Sequence, residues 1–237
     1  MAFPHSRPWQ RGMGKALCFL ALLLLSVIGA ALFGAIHNQI SYTVAPEYFH
    51  VLKFPQFGIP SDMRNRAGAG LVGVFASWWM GVLIGVPVLG FTLCRISGVA
   101  AYLRAGVTAI ALVLGIALLS GLLALAAMTA LTPSEIAASF NLPRGVSDPV
   151  AFIRAGALHE GSYAGGVLGL ICAMVYIHIK GRRQRRAEGQ DAIRGQDSRS
   201  DRGRVRLWRG DRAQIRGGGR SGCRGGYQYR RRAAHRG

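Results

Sequence analysis

Residues 16–36 read ALCFLALLLLSVIGAALFGAI, a run without a single Asp, Glu, Lys or Arg. About 20 such residues, wound as a helix, cross the ~30 Å hydrocarbon layer of a membrane. A helix also satisfies its own backbone groups where no water is present to do so. Three more runs share this character, at 73–94, 107–131 and 161–179, with Glu160 at the lip of the last. One such run is compatible with a buried helix of a soluble protein. Four in succession predict an all-α membrane protein, a bundle of four transmembrane helices over residues 16–180. The first run follows Arg7, Arg11 and Lys15 but exceeds the 7–15 residues of a secretory signal core, and no A-x-A site follows it. It reads as an uncleaved anchor.

The net charge of +19 belongs to one end of the chain. Residues 1–179 hold ten basic and five acidic side chains, whereas residues 180–237 hold nineteen and five. Lysine and arginine gather before the first span, at Arg95 and Arg104, and from Lys180 onward, while the other connections mix both signs. The positive-inside rule then puts both termini in the cytoplasm. The four cysteines, Cys18, Cys94, Cys172 and Cys223, lie in or beside spans or in the tail, so no disulfide framework is implied. Residues 181–237 carry no apolar period and are expected to be a disordered Arg/Gly-rich arm. Such an arm suits anionic lipid, but its composition is also that of G+C-rich DNA read in a shifted frame, and no nucleic-acid function is built on it.

The connection from Arg95 to Gly106 is short and makes the second and third spans antiparallel neighbours. Thr132, Pro133 and Glu135 form a capping box that predicts a short helix through Phe140. Ser147 or Asp148 caps a further helix that nothing breaks before Tyr163. Gly81 and Gly85 are four apart, as are Gly161, Gly165 and Gly169. In lipid such ridges let helix backbones approach closely. They serve packing within the monomer in the preferred reading and a homo-oligomer in the other. Pro87 is expected to kink its helix, and Trp78 and Trp79 suit the aromatic belt.

Chemistry is concentrated in GAIHNQISYTVAPEYF, residues 34–49. His37, Asn38 and Gln39 are read as the exit from the first span, with Tyr42, Tyr48 and Phe49 at the headgroup level. Pro46 and Glu47 then open a short interfacial helix carrying His50 and Lys53. The stretch is echoed by GALHEGSY, residues 156–163. The first copy ends an outgoing helix and the second starts an incoming one, so this is no tandem repeat of helix pairs. Should the first and fourth helices adjoin, His37 and His159 sit at one depth, with Glu160, Glu47 and His50 in reach. Imidazole and carboxylate can bind a zinc-like ion or carry a proton switch, although the spacing matches no metal motif. No nucleophile elbow, zinc-protease helix, phosphate loop or C-x-x-C occurs, and the spans hold no charged side chain to couple to an ion.

The segments HNQISYTVAPEYFHVLKFPQFG and GVFASWWMGVLIGV together resemble a group of uncharacterised bacterial multi-pass membrane proteins. In that group an H-[DN]-Q-[IV] turn leads to an E-Y-F loop and then an A-[ST]-W-W helix. The matching positions here are His37, Asn38, Gln39, Ile40, Glu47, Tyr48, Phe49, Ala76, Ser77, Trp78 and Trp79. GALHEGSYAGGVLGL is similar to that group's last span. The resemblance covers residues 30–180, omits the tail, and implies an architecture in a bacterial inner membrane without an activity.

The expected function is a non-enzymatic membrane component without a cofactor. It would present Asn38, Gln39, Tyr42, Glu47, Tyr48, Phe49 and His50 to a protein partner or to the lipid bilayer. The alternative is a small transporter or metal- or proton-responsive protein using His37, His159 and Glu160.

Overall fold

The structure, a computed structural model, describes the backbone of residues 8–131 and 140–216, and side chains over 13–131 and 140–196. Among the described residues all regular structure is helical, in four long helices: α1 (Pro8–Val44), α2 (Arg66–Arg95), α3 (Val99–Leu131) and α4 (Pro149–Arg216). Each contains a segment long and apolar enough to cross a membrane. By contact the chain divides into two units, Met1–Arg186 and Ala187–Gly237, and the site lies in the first.

The helices outrun the apolar stretches that announce them. His37 to Val44 remains helical, so the chain does not leave α1 at His37 as the polar composition suggested. The side chains there are polar, but their partners lie on other helices. The helical conformation also continues through Arg216, where a disordered arm was expected from residue 181. No proline occurs after Pro149, and Arg, Gln, Ala and Glu are strong helix formers. Residues from 217 on lie outside the described part, as does the capping box at Thr132, Pro133 and Glu135. Helix α2 is continuous through Pro87.

The helix ends have clear chemical causes. Asn65 caps α2, its Oδ1 accepting from the amides of Ala67 and Gly68 at 2.8 and 3.2 Å. Ile96 is extended and Gly98 takes a φ of 78°, a left-handed conformation that costs glycine little. That three-residue turn folds α3 back on α2, and the Tyr102 ring is buried against α2 with its hydroxyl on the Leu89 carbonyl. Of the two candidate caps for α4 the structure selects Asp148, whose Oδ1 accepts from the Ala151 amide at 3.0 Å.

Small residues set the helix contacts. Gly34 of α1 meets Gly73 of α2 backbone to backbone, and Gly81 lies on Ser26 and Val27. The Ser26 hydroxyl donates to the Gly81 carbonyl at 2.9 Å. On the other side Gly161, Gly165 and Gly169 of α4 lie against Ser120, Ala117 and Val113 of α3. A methyl group at any of these glycines would strike a neighbouring backbone or serine. Both ridges thus face inward within one chain. The outside of the helices is apolar: Leu17, Leu20 and Leu24 of α1, Leu119 and Leu123 of α3 and Val167 and Ile171 of α4 are all more than half exposed.

Gly165→Leu is expected to destabilise the protein by about 1–3 kcal/mol, the usual cost of overpacking, read as earlier thermal unfolding in detergent. Gly115, with nothing within 4 Å of its missing Cβ, should accept leucine without loss.

Candidate functional site

The echo between residues 34–42 and 156–163 becomes a physical contact. Helices α1 and α4 bring His37 and His159 together with ring centroids 4.7 Å apart, edge to face. His37 Nε2 lies 2.9 Å from Ser162 Oγ, and His159 Nε2 lies 3.0 Å from Ser41 Oγ. Each histidine of one copy is therefore bonded to the serine of the other. All four side chains are buried, Ser41 completely. A neutral imidazole donates from one nitrogen and accepts at the other, and a serine hydroxyl can do either, so both crossed pairs can be satisfied. Gly121 of α3 makes room for this arrangement, since a side chain there would run into Ser162 and the Leu158 carbonyl.

The rest of HNQISY is bonded with similar completeness. Asn38 donates to the Ala69 carbonyl at 2.9 Å and Gln39 to the Arg66 carbonyl at 3.0 Å. Tyr42 Oη lies 3.2 Å from His50 Nε2, and Arg66 covers the Tyr42 ring. These bonds tie α1 to the start of α2. A polar group withdrawn from water costs free energy unless it is paired, and this end of α1 is polar because every such group has a tertiary partner.

The connection between α1 and α2 is folded rather than spread along a surface. Tyr48 to Lys53 forms a wide π-helical turn, followed by an α-turn at Phe54–Gln56. Contrary to the expectation of rings at a headgroup layer, Tyr48, Phe49 and Phe54 are buried. The reason is ring packing: Tyr48 lies 5.0 Å from Phe152 and stacks on His159 at 5.2 Å, and Phe49 packs on Phe54. Burial pushes the Tyr48 phenol up, with Tyr163 and Glu160 adding to the shift. Asn38, Tyr48 and Phe49 are therefore interior residues of the chain.

Glu47 fastens this connection to α4. Its carboxylate accepts from the Ser147 amide at 2.7 Å, the Ser147 hydroxyl at 2.9 Å and the Asp148 amide at 3.0 Å. The Asp148 and Ser147 amides hold its carboxyl below the usual range. Of the proposed metal ligands, His37 and His159 adjoin, Glu160 is exposed, and His50 is committed to Tyr42. Among the described residues no three His, Cys, Asp or Glu side chains gather at one point.

Beside the histidine pair lies a cavity of about 100 Å³ to which all four helices contribute. His37, His159, Ser162, Tyr163 and Lys53 line the end next to the α1–α2 connection. Phe33, Ala76, Ile84, Val113 and Ala117 make the remainder mostly apolar. Ile84 of α2 and Gly166 of α4 face one another across it, 3.9 Å from side chain to missing Cβ. Sequence reasoning singled out both histidines but missed Ser41 and Ser162 as their partners, and missed the cavity. The usable signal was the echo itself, because a motif repeated on two antiparallel helices can bond to its own copy. No protein-family model, curated protein or solved structure matches the chain.

A carboxylate that ionises more readily folded than unfolded stabilises the fold above its ordinary pKa, and that contribution is lost as pH falls through the folded value. Thermal stability is therefore expected to decline as pH drops below the ordinary glutamate value of 4.5. Glu47→Gln should lower stability at neutral pH and flatten that acid-side decline in a melting series.

Proposed function

We propose that the chain is a four-helix bundle spanning a bacterial inner membrane, with both termini cytoplasmic, that binds a lipid chain at the cavity between its helices without chemical conversion. The observation that carries this reading is the distribution of groups in the cavity. His37, Asn38, His159, Ser162, Tyr163 and Lys53 line the end beside the α1–α2 connection, and the remainder is apolar apart from the hydroxyls of Ser26 and Ser77. An amphiphile has the same distribution along its length.

The dimensions agree. Along α1 the cavity wall extends from Ser26 to Asn38, about 18 Å at 1.5 Å per residue. That is slightly more than half of the ~30 Å hydrocarbon layer, so the lining residues lie within the depth of one leaflet. The exposed leucines around the four helices support residence in lipid, since water-soluble proteins rarely present apolar patches of this extent. The basic residues at Arg95, Arg104 and Lys180 support the orientation. The packing glycines are occupied within one chain, which favours a monomer over assembly through those ridges. The exposed parts of the outer connections, including His50, remain to meet a lipid surface or protein partner.

The rival reading is a metal- or proton-responsive protein built on His37 and His159. A zinc titration of purified protein distinguishes the two, with micromolar binding that disappears in the His37→Ala/His159→Ala variant required by the rival.

Gly166→Leu directs a side chain into the cleft where glycine leaves room. Purified wild-type protein is expected to carry a lipid adduct in native mass spectrometry, and the variant should lose most of it while unfolding at a similar temperature. Equal adduct occupancy in both proteins, or none in the wild type, contradicts the proposal.

A further inference from the structure

We propose that the occupant of the cleft is a single-chain amphiphile with an anionic phosphate head group, held by Lys53. The inference rests on the reading of the cleft as a lipid site and adds the class of lipid.

The head-group end offers few free donors. Nε2 of His37 and of His159 are each engaged by a serine, so neither is free for a ligand. Lys53 lines the same end. Its ammonium makes one long hydrogen bond, to Gln56 Oε1 at 3.4 Å, and lies 5.5 Å from the centre of the Tyr48 ring. An ammonium has three donors, so most of its capacity is unused. Glu160 acts on it through space and is itself exposed. Burial pulls the Lys53 ammonium below the usual lysine range, against the opposing pull of Glu160. A desolvated cation gains more from a facing anion than a solvated one.

The size of the cavity limits the number of chains. At about 100 Å³ it is smaller than the ~150 Å³ cavity that accepts a benzene ring. A space of that size takes a few methylenes of one chain beside its head group, the remainder of the chain lying outside it, and has no room for a second chain. The α1–α2 connection closes the head-group end with Lys53 and Phe57, so the phosphate would meet Lys53 at the boundary of the apolar region. Tyr163, half exposed and on the same wall, supplies a second donor.

The test compares two lipids with one chain. Lysophosphatidic acid and the matching monoacylglycerol are titrated into delipidated full-length protein, and bound lipid is counted by native mass spectrometry. Lysophosphatidic acid is expected to bind at least tenfold tighter than monoacylglycerol. Lys53→Met should erase the preference while monoacylglycerol still binds, and Lys53→Arg should keep it. Equal binding of the two lipids to the wild type overturns the assignment of the head group and leaves the lipid site standing. Binding of neither overturns both. Displacement of lysophosphatidic acid by millimolar inorganic phosphate alone would make this a site for free anion and overturn the proposal. A preference that survives Lys53→Met would remove Lys53 from the role.

Discussion

Four buried polar side chains meet where α1 passes α4, and each has its partner on the other helix. His37 is bonded to Ser162 and His159 to Ser41, so the two helices are fixed in one register. A slip of a single residue along either axis would turn the imidazoles away from the hydroxyls and leave several buried groups unpaired, each at about 1–3 kcal/mol. Apolar packing in lipid has no comparable selectivity, because lipid tails solvate leucine as well as another helix does. Depth and rotation of α4 against α1 are thus set by the polar crossing, and the glycine seams bring α2 onto α1 and α3 onto α4.

This crossing also determines the shape of the cleft. Beside the joined α1 and α4 lies the cavity, which residues of α2 and α3 also line. Tyr48 stacks on His159 from above, and the Glu47 carboxylate anchors the connection to the start of α4. The aromatic cluster, the acidic anchor and the histidine pair adjoin one another at this end of the cavity. Lys53 belongs to the same connection, its ammonium near the Tyr48 ring and its side chain lining the cavity.

Hydropathy alone was sufficient for the four long helices, since an uninterrupted apolar run leaves a membrane-crossing helix as the main solution. It was a poor guide to where they stop. His37 to Val44 looks like an exit from the bilayer because its groups are polar, yet they stay helical by bonding to α2 and α4. Tyr48 and Phe49 look interfacial by type, and only contact with Phe54, Phe152 and His159 makes them core. The two histidines were visible as an echo, and their partners were within four residues of them in the sequence. What no local reading contains is that the pairing is crossed, because that depends on which helices become neighbours. Lys53 was legible only as part of an interfacial helix and Gly166 carried no signal, and the place of both beside the cavity depends on the tertiary fold.

Within each copy of the echo the serine also lies one helical turn from its own histidine, so a local bond is the competing arrangement. Nitrogen-15 NMR of histidine-labelled protein in bilayers separates the two. The crossed arrangement predicts that Ser162→Ala shifts the Nε2 resonance of His37 and that Ser41→Ala shifts that of His159. If each substitution instead moves the histidine of its own helix, or moves neither, the contact that organises this structure is not present.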